Sequence, residues 1–258
     1  MNTQTTMPVL FLGHGSPMNA IENNAFHQSW AALGKRLPRP RAILVVSAHW
    51  ETRGIYVTAS RQPETIHDFY GFPKPLFDVR YRAPGSPALA QRVKELITTH
   101  KVHLDAGRGL DHGCWGVIGP MYPEADIPVV QLSIDTAEPG SYHYTIGKQL
   151  APLREEGVLI VGSGDIVHNL GLFNFHATQP YPWAAQFQTL ANHLIATGEH
   201  QPLLDYPQLG QAARLAIPTP EHYYPLLYAL ALQRPDEKVE IFNDTVMASL
   251  SMTSLLIG

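Results

Sequence analysis

The chain has 258 residues, 45% hydrophobic and 16% charged, with 18 Lys and Arg against 22 Asp and Glu for a net charge of −4. That length buries a sizeable core, and the composition excludes a disordered or fibrous chain. No dense basic run is present, so nucleic acid is not an expected partner. A single cysteine excludes an internal disulfide and fits a reducing, cytoplasmic setting. The opening MNTQTTMPVLFLGHGSP has no basic stretch and only a short apolar run. Neither a leader nor a membrane span of about 18 apolar residues is expected.

In chain order, residues 9–12, 42–47, Val129–Ile134 and 158–162 are short apolar runs bounded by turn residues. They lack alternation, which is how strands covered on both faces read. Residues 54–59 and Val239–Phe242 are weaker strand candidates. Between them, 86–99 opens with a Ser cap followed by Pro and repeats apolar residues at helical spacing, while 144–155, 183–197 and 220–233 also read as helices. Strands alternating with helices predict an α/β fold with a largely parallel central sheet. No repeat or composition break marks a linker, so residues 1–258 read as one domain. The Pro-rich stretch 63–87 carries His67, Phe69, Tyr70, Phe72 and Phe77, too aromatic for a linker. It reads as an ordered loop over a site or as packing over a sheet end.

The 13 histidines are the most informative feature, because imidazole is the commonest metal ligand and a frequent proton carrier. His14 follows the first strand, His49 the second and His168 the run 158–162. In open α/β sheets ligands bind beyond that carboxyl edge. His222 falls near the start of the helix predicted at 220–233, where the helix dipole favours the neutral imidazole that a metal needs. Gly13, Gly15, Gly162 and Gly164 allow tight turns around these positions. Four histidines at equivalent places point to a shared metal site, although no short spacing ties two of them together. His112 sits beside Asp111 in a glycine-flanked turn, as a proton donor or as a turn-closing residue. Cys114, next to Trp115, reads as an inert small hydrophobe. Ser163 and Ser16 lack the glycine pattern of a nucleophile elbow, and neither a P-loop nor GxGxxG occurs. Of the other histidines, which lack a strand-end position, His67 is the one to watch.

FLGHGSPMN, SAHWE, TIHDFYGFP, LDHGCWG, GSGDIVHNL and PTPEHYYPLL occur in this order. Together they resemble the class III extradiol ring-cleaving dioxygenases, in particular the DOPA 4,5-dioxygenase-like proteins of the protocatechuate 4,5-dioxygenase large-subunit superfamily. The resemblance implies one non-haem divalent metal at the carboxyl edge of the sheet, Fe(II) for catalysis, with Zn(II) also suited to an all-imidazole site. It implies a catechol and O₂ as substrates. His14 and His49 carry over as metal ligands, and His112 as a substrate contact. His168 carries over as the proton shuttle beside the metal, close enough to be a fourth ligand. His222 stands where the wider superfamily supplies a carboxylate, with Glu221 as the alternative. A zinc hydrolase on the same histidines, or a non-catalytic zinc module, are the competing readings. A monomer or small homo-oligomer is expected.

Overall fold

Every residue of 9–12, 42–47, 129–134 and 158–162 is buried, as a sheet covered on both faces requires. In the computed structural model, which describes residues 6–258, the strands are β1 (Val9–Gly13), β2 (Ala42–Glu51), β3 (Ile55–Thr58), β4 (Val102–Asp105), β5 (Val129–Ile134), β6 (Val158–Gly164), β7 (Val239–Phe242), β8 (Val246–Met247), β9 (Leu250–Ser251) and β10 (Ser254–Ile257). Residues 1–5 of the opening segment lie outside the described part. Eight strands form one sheet in the order β4-β3-β5-β2-β6-β1-β10-β7, and β8 pairs with β9. At its centre β1, β6, β2 and β5 run parallel, so their carboxyl ends share one edge. Toward the flanks β10 is antiparallel to β1 and β7, and β3 is antiparallel to β5.

Side chains alternate across this sheet. Val9, Phe11, Leu44, Val46 and Ile160 enter one core, while Leu10, Leu12, Ile43, Val45, Leu159 and Val161 enter the other. The first core is closed by the helices Pro87–Leu96, Gly140–Gln149, Pro182–Thr197 and Tyr224–Leu230. The second is closed by Ala25–Arg36 and His112–Met121. Cutting one fully buried leucine to alanine in either core typically costs about 2–5 kcal/mol. Among the described residues no helix is long and apolar enough to cross a membrane.

The helix predicted at 86–99 is Pro87–Leu96, with the Ser86 hydroxyl oxygen accepting from Leu89 N. Two other helices differ from their predicted extents, and proline is the reason in both. Pro152 has no N–H for the Lys148 carbonyl, so the helix predicted at 144–155 stops at Gln149 and a separate turn runs Pro152–Glu155. Pro225 has none for Glu221, so the helix predicted at 220–233 begins only at Tyr224. The stretch 63–87 is ordered: Ile66 N donates to Leu110 O at 2.7 Å, and Leu110 N donates to Glu64 O at 2.7 Å.

Candidate metal centre

His14 directly follows β1, and its N–H donates to Gly164 O at the end of β6 (3.1 Å). His49 lies within β2 rather than after it, because that strand continues past a register irregularity to Glu51. His168 comes four residues after β6, where its N–H donates to Ala216 O (2.9 Å). His222 sits in the turn before Tyr224, with its carbonyl accepting from Asp165 N (2.8 Å). A Cβ on Gly164 would stand 2.1 Å from that carbonyl, so only glycine lets the turn lie against β6. His112 opens the helix His112–Met121, and a Cβ on Gly113 would meet Ser47 Oγ at 2.5 Å and His49 Cδ2 at 2.8 Å. Two glycines therefore let His222 and His112 lie against β6 and β2.

The five imidazoles cluster, with donor atoms close together in three overlapping groups: His14, His49 and His112; His14, Asp165 and His222; and His168, Glu221 and His222. Ring centroids lie 5.0 Å apart for His14 and His49, 5.2 Å for His14 and His222, and 4.9 Å for His49 and His222. His14 Nε2 and His49 Nε2 are 3.1 Å apart, near the about 3.0–3.4 Å that separates two nitrogens sharing one ion at bond lengths of about 2.0–2.1 Å. His112 stands 3.9 Å from His49. His168 stacks on His222 at 3.5 Å with their planes 8° apart. Lone pairs of two such rings run along parallel planes, so His168 and His222 do not aim at one ion together in this arrangement.

The outer nitrogens are oriented by partners. The Ser163 hydroxyl donates to Gly113 O (2.5 Å), so its oxygen is left to accept from His14 Nδ1 (3.1 Å). His222 Nδ1 donates to Glu221 Oε1 (3.1 Å), which also accepts from the Thr219 hydroxyl (2.9 Å). His49 Nδ1 faces Asp68 Oδ2 at 3.6 Å. Partners of this kind at Nδ1 would leave Nε2 free to bind a metal. Glu221, the alternative ligand, is thus engaged with the ring of His222.

Burial, reinforced by the neighbouring imidazoles, drives the His14 and His222 pKa values well below the usual histidine range. The same causes hold His49 at about 3, against the pull of Asp68, and burial holds His168 at about 4. The helix terminus expected to keep His222 neutral starts two residues too late, and burial does that work instead. Asp165 is 1% exposed; its Oδ1 accepts from Gly15 N (3.2 Å), while Oδ2 lacks a hydrogen-bond partner and lies 3.6 Å from His14 Nε2. Burial pushes its carboxyl well above the carboxylate range. Neutral imidazoles facing inward beside an orphaned buried carboxylate oxygen are what a divalent cation would satisfy, and the nitrogen-rich donor set suits iron or zinc.

Two neighbours were not singled out from sequence. Asp165 follows β6 in GSGDIVHNL, and Asp68 lies in TIHDFYGFP beside the residue that drew attention. His67 itself faces away: its Nε2 lies 3.0 Å from Val79 O, and its ring packs on Phe69, Phe77 and Trp115. The carboxylate next to the His112 ring is Asp68, whose Oδ2 is 3.0 Å from Nδ1, and not the adjacent Asp111. Asp111 accepts instead from the Ser47 hydroxyl (2.7 Å), Cys114 N (3.1 Å), Gln131 Nε2 (2.7 Å) and Arg108 Nη2 (3.2 Å). Cys114 is fully buried.

Residues 7–254 match the family model of the catalytic LigB subunit of aromatic ring-opening dioxygenase. A relative from Escherichia coli (strain K12) named 4,5-DOPA dioxygenase extradiol is 52% identical over 262 residues, covering 99% of this chain and 96% of that protein. A protein of the same name from Beta vulgaris is 40% identical, covering 91% of this chain and 90% of its own. The crystal structure of the uncharacterized protein JW3007 from Escherichia coli K12 superposes with a TM-score of 0.86 at 47% identity, covering 98% of this chain and all 100% of that one. With this histidine cluster at the carboxyl edge, the chain belongs to the LigB family of aromatic ring-opening dioxygenases and is a metal-dependent extradiol enzyme.

Proposed function

We propose that the substrate is a catechol bearing a DOPA-type side chain, and that Nε2 of His14, His49 and His222 holds one Fe(II), with Zn(II) able to fill the same donors. The substrate class rests on the names of the Escherichia coli and Beta vulgaris relatives. The ligand set rests on the three mutually close rings, two of which have Nδ1 engaged by Ser163 or Glu221. The ion, when bound, supplies a Lewis-acidic centre that orients the diol beside O₂ and stabilises developing charge. Both oxygen atoms end in the product, and the ring carbon–carbon bond beside the diol breaks.

Proton movement falls to His168 and His112. Burial keeps His168 neutral, which leaves a ring nitrogen to accept a proton from the diol. Its stacking on His222 supports a role as a base beside the ion rather than a place in the ligand set. His112, 5.9 Å from His14 and 3.9 Å from His49, is the second imidazole beside the ligand set and returns a proton as the ring opens. That the relatives are named as dioxygenases favours this chemistry over hydrolysis at the same cluster. We place residues 1–258 in one catalytic domain, because the sheet draws its strands from both ends of the chain. A cytoplasmic monomer or small homo-oligomer fits the single buried thiol.

The test is anaerobic loading with Fe(II), then O₂ uptake with a catechol panel that includes DOPA. The expected result is one O₂ consumed per ring opened, with DOPA-like catechols turned over best. No uptake with any catechol overturns the proposal. Single-turnover ring opening by His168→Ala and His112→Ala should be slower by about 10²–10⁴-fold with iron retained. Loss of iron from His168→Ala would make that residue a ligand.

A further inference from the structure

Asp68 belongs to no helix or strand, yet its carboxylate touches two of the site's imidazoles. Oδ1 accepts from the His112 backbone N–H at 2.9 Å. Oδ2 lies 3.0 Å from His112 Nδ1 and 3.6 Å from His49 Nδ1. At 3.0 Å the carboxylate oxygen and the ring nitrogen face each other closely, although their alignment falls short of a hydrogen bond. The segment is pinned to the same helix from two further directions. Trp115 Nε1 donates to Ile66 O at 2.8 Å, and the Phe69 ring meets the His112 ring edge-on at 5.5 Å.

We propose that Asp68 is a positioning residue that fixes the tautomer and ring orientation of His112, an inference that rests on the proton role given to His112 above. An imidazole has two nitrogens, and only one serves the substrate. A carboxylate opposite Nδ1 keeps a proton there and leaves Nε2 as the nitrogen that takes and returns the substrate's proton. Asp111, the sequence neighbour, cannot do this because both its oxygens are occupied on the far side. The carboxylate has two separable duties. Oδ1 docks the loop through a backbone bond, which an asparagine carbonyl can keep. Oδ2 orients the ring, and the asparagine NH₂ would reverse that by demanding an acceptor at Nδ1.

The experiment uses the full chain loaded with Fe(II), with DOPA as the probe. Asp68→Asn should load fully at excess iron, with affinity weaker by no more than about 10–100-fold because Asp68 also faces His49 Nδ1. It should keep its melting temperature and hold KM within about threefold, while kcat of the loaded enzyme falls by about 10²–10⁴-fold. Asp68→Glu, which restores an acceptor, should recover part of that loss. The double variant Asp68→Asn/His112→Ala should be no slower than His112→Ala alone, because both remove one function. A normal kcat in Asp68→Asn beside a slow His112→Ala overturns the inference alone. A normal rate in His112→Ala overturns the reading of His112 and the inference with it. Failure of Asp68→Asn and Asp68→Glu to load at excess iron, or losses that multiply in the double variant, would show that Asp68 acts through His49 or through packing, and would likewise overturn it.

Discussion

Arg154, before the amino end of β6, is 1% exposed, and every nitrogen of its guanidinium has a partner. Nε donates to Met7 O (2.7 Å), Nη1 to Leu232 O (2.7 Å) and Glu237 Oε2 (2.9 Å), and Nη2 to Glu237 Oε1 (2.5 Å). Asp165, just beyond the carboxyl end of the same strand, is equally buried, yet one of its oxygens has no hydrogen-bond partner. Around it stand imidazoles whose charged forms are suppressed. A buried carboxylate oxygen without a partner costs about 1–3 kcal/mol, and among neutral imidazoles a bound cation would offset that cost. One end of the sheet uses buried polarity to fasten the chain, and the other holds it open for a ligand.

The largest effect expected from breaking this contrast comes at the carboxyl edge. Alanine at His14, His49 or His222 should reduce bound metal below one ion per chain and drop ring opening to background. Elemental analysis beside O₂ uptake checks it, and a stoichiometric ion in any one variant removes that residue from the ligand set. Glu221→Ala should still load fully at excess metal, with affinity weaker by about 10–100-fold, the usual cost of losing a partner that orients a ligand.

Acid should act through the same edge. Unfolded histidines titrate near 6.5, whereas burial holds His168 at about 4 and, with His112, His49 at about 3. Below about pH 6.5 the unfolded chain therefore binds more protons than the folded one, and stability falls with falling pH. Each such histidine contributes up to about 1.4 kcal/mol per pH unit until its folded value is reached. His143, buried against Tyr224 and held at about 4, adds to the trend. Asp165, raised by burial, opposes it, as a single group against several. Urea titrations of the metal-stripped protein at pH 7 and pH 5 should show a marked loss at pH 5. Equal stability at the two values would mean that the imidazoles are not suppressed.

Which parts of this were legible in the sequence follows from how local each signal is. The central strands declare themselves because burial on both faces demands continuous apolar runs, and His14, His49 and His168 could be placed from those runs alone. β10 and β4 were not read, because each takes its place only through distant partners, β1 for the one and β3 for the other. The sequence points to His222, but apolar spacing alone starts its helix at 220, whereas Pro225 delays it to Tyr224. Asp68 escaped because a carboxylate on an irregular segment gains meaning only from what the segment lies against. Asp165 carried a fainter clue: it follows a strand that ends in glycine, as His14 does.

At the amino edge, Arg154→Ala should destabilise the protein by about 3–5 kcal/mol, because Glu237 would lose its partner and the Met7 and Leu232 carbonyls their donors. Iron content and kcat of the folded protein should not change, since the substitution lies across the sheet from the site. A cost below about 1 kcal/mol would mean that the buried ion pair does not fasten that edge. Reduced iron content would mean that the two ends are coupled.

The smallest effect belongs to Cys114, which lies between the two regimes. It is fully buried in the second core, two residues past His112 in the helix that His112 begins, so proximity alone would make it a candidate nucleophile. Its surroundings argue otherwise. Burial pushes the thiol well above its ordinary range, and the nearby Asp111 and Asp68 carboxylates push it further, so the thiolate that would react is suppressed near neutral pH. Cys114→Ala should leave iron content unchanged and turnover within about twofold, and should cost about 1 kcal/mol for the space left by the sulfur. Iodoacetamide should label the thiol of the native protein only after denaturation. Rapid native labelling, or a tenfold loss of turnover in an alanine variant that keeps its iron, would bring the sulfur into the chemistry and move the boundary of the site deeper into the core.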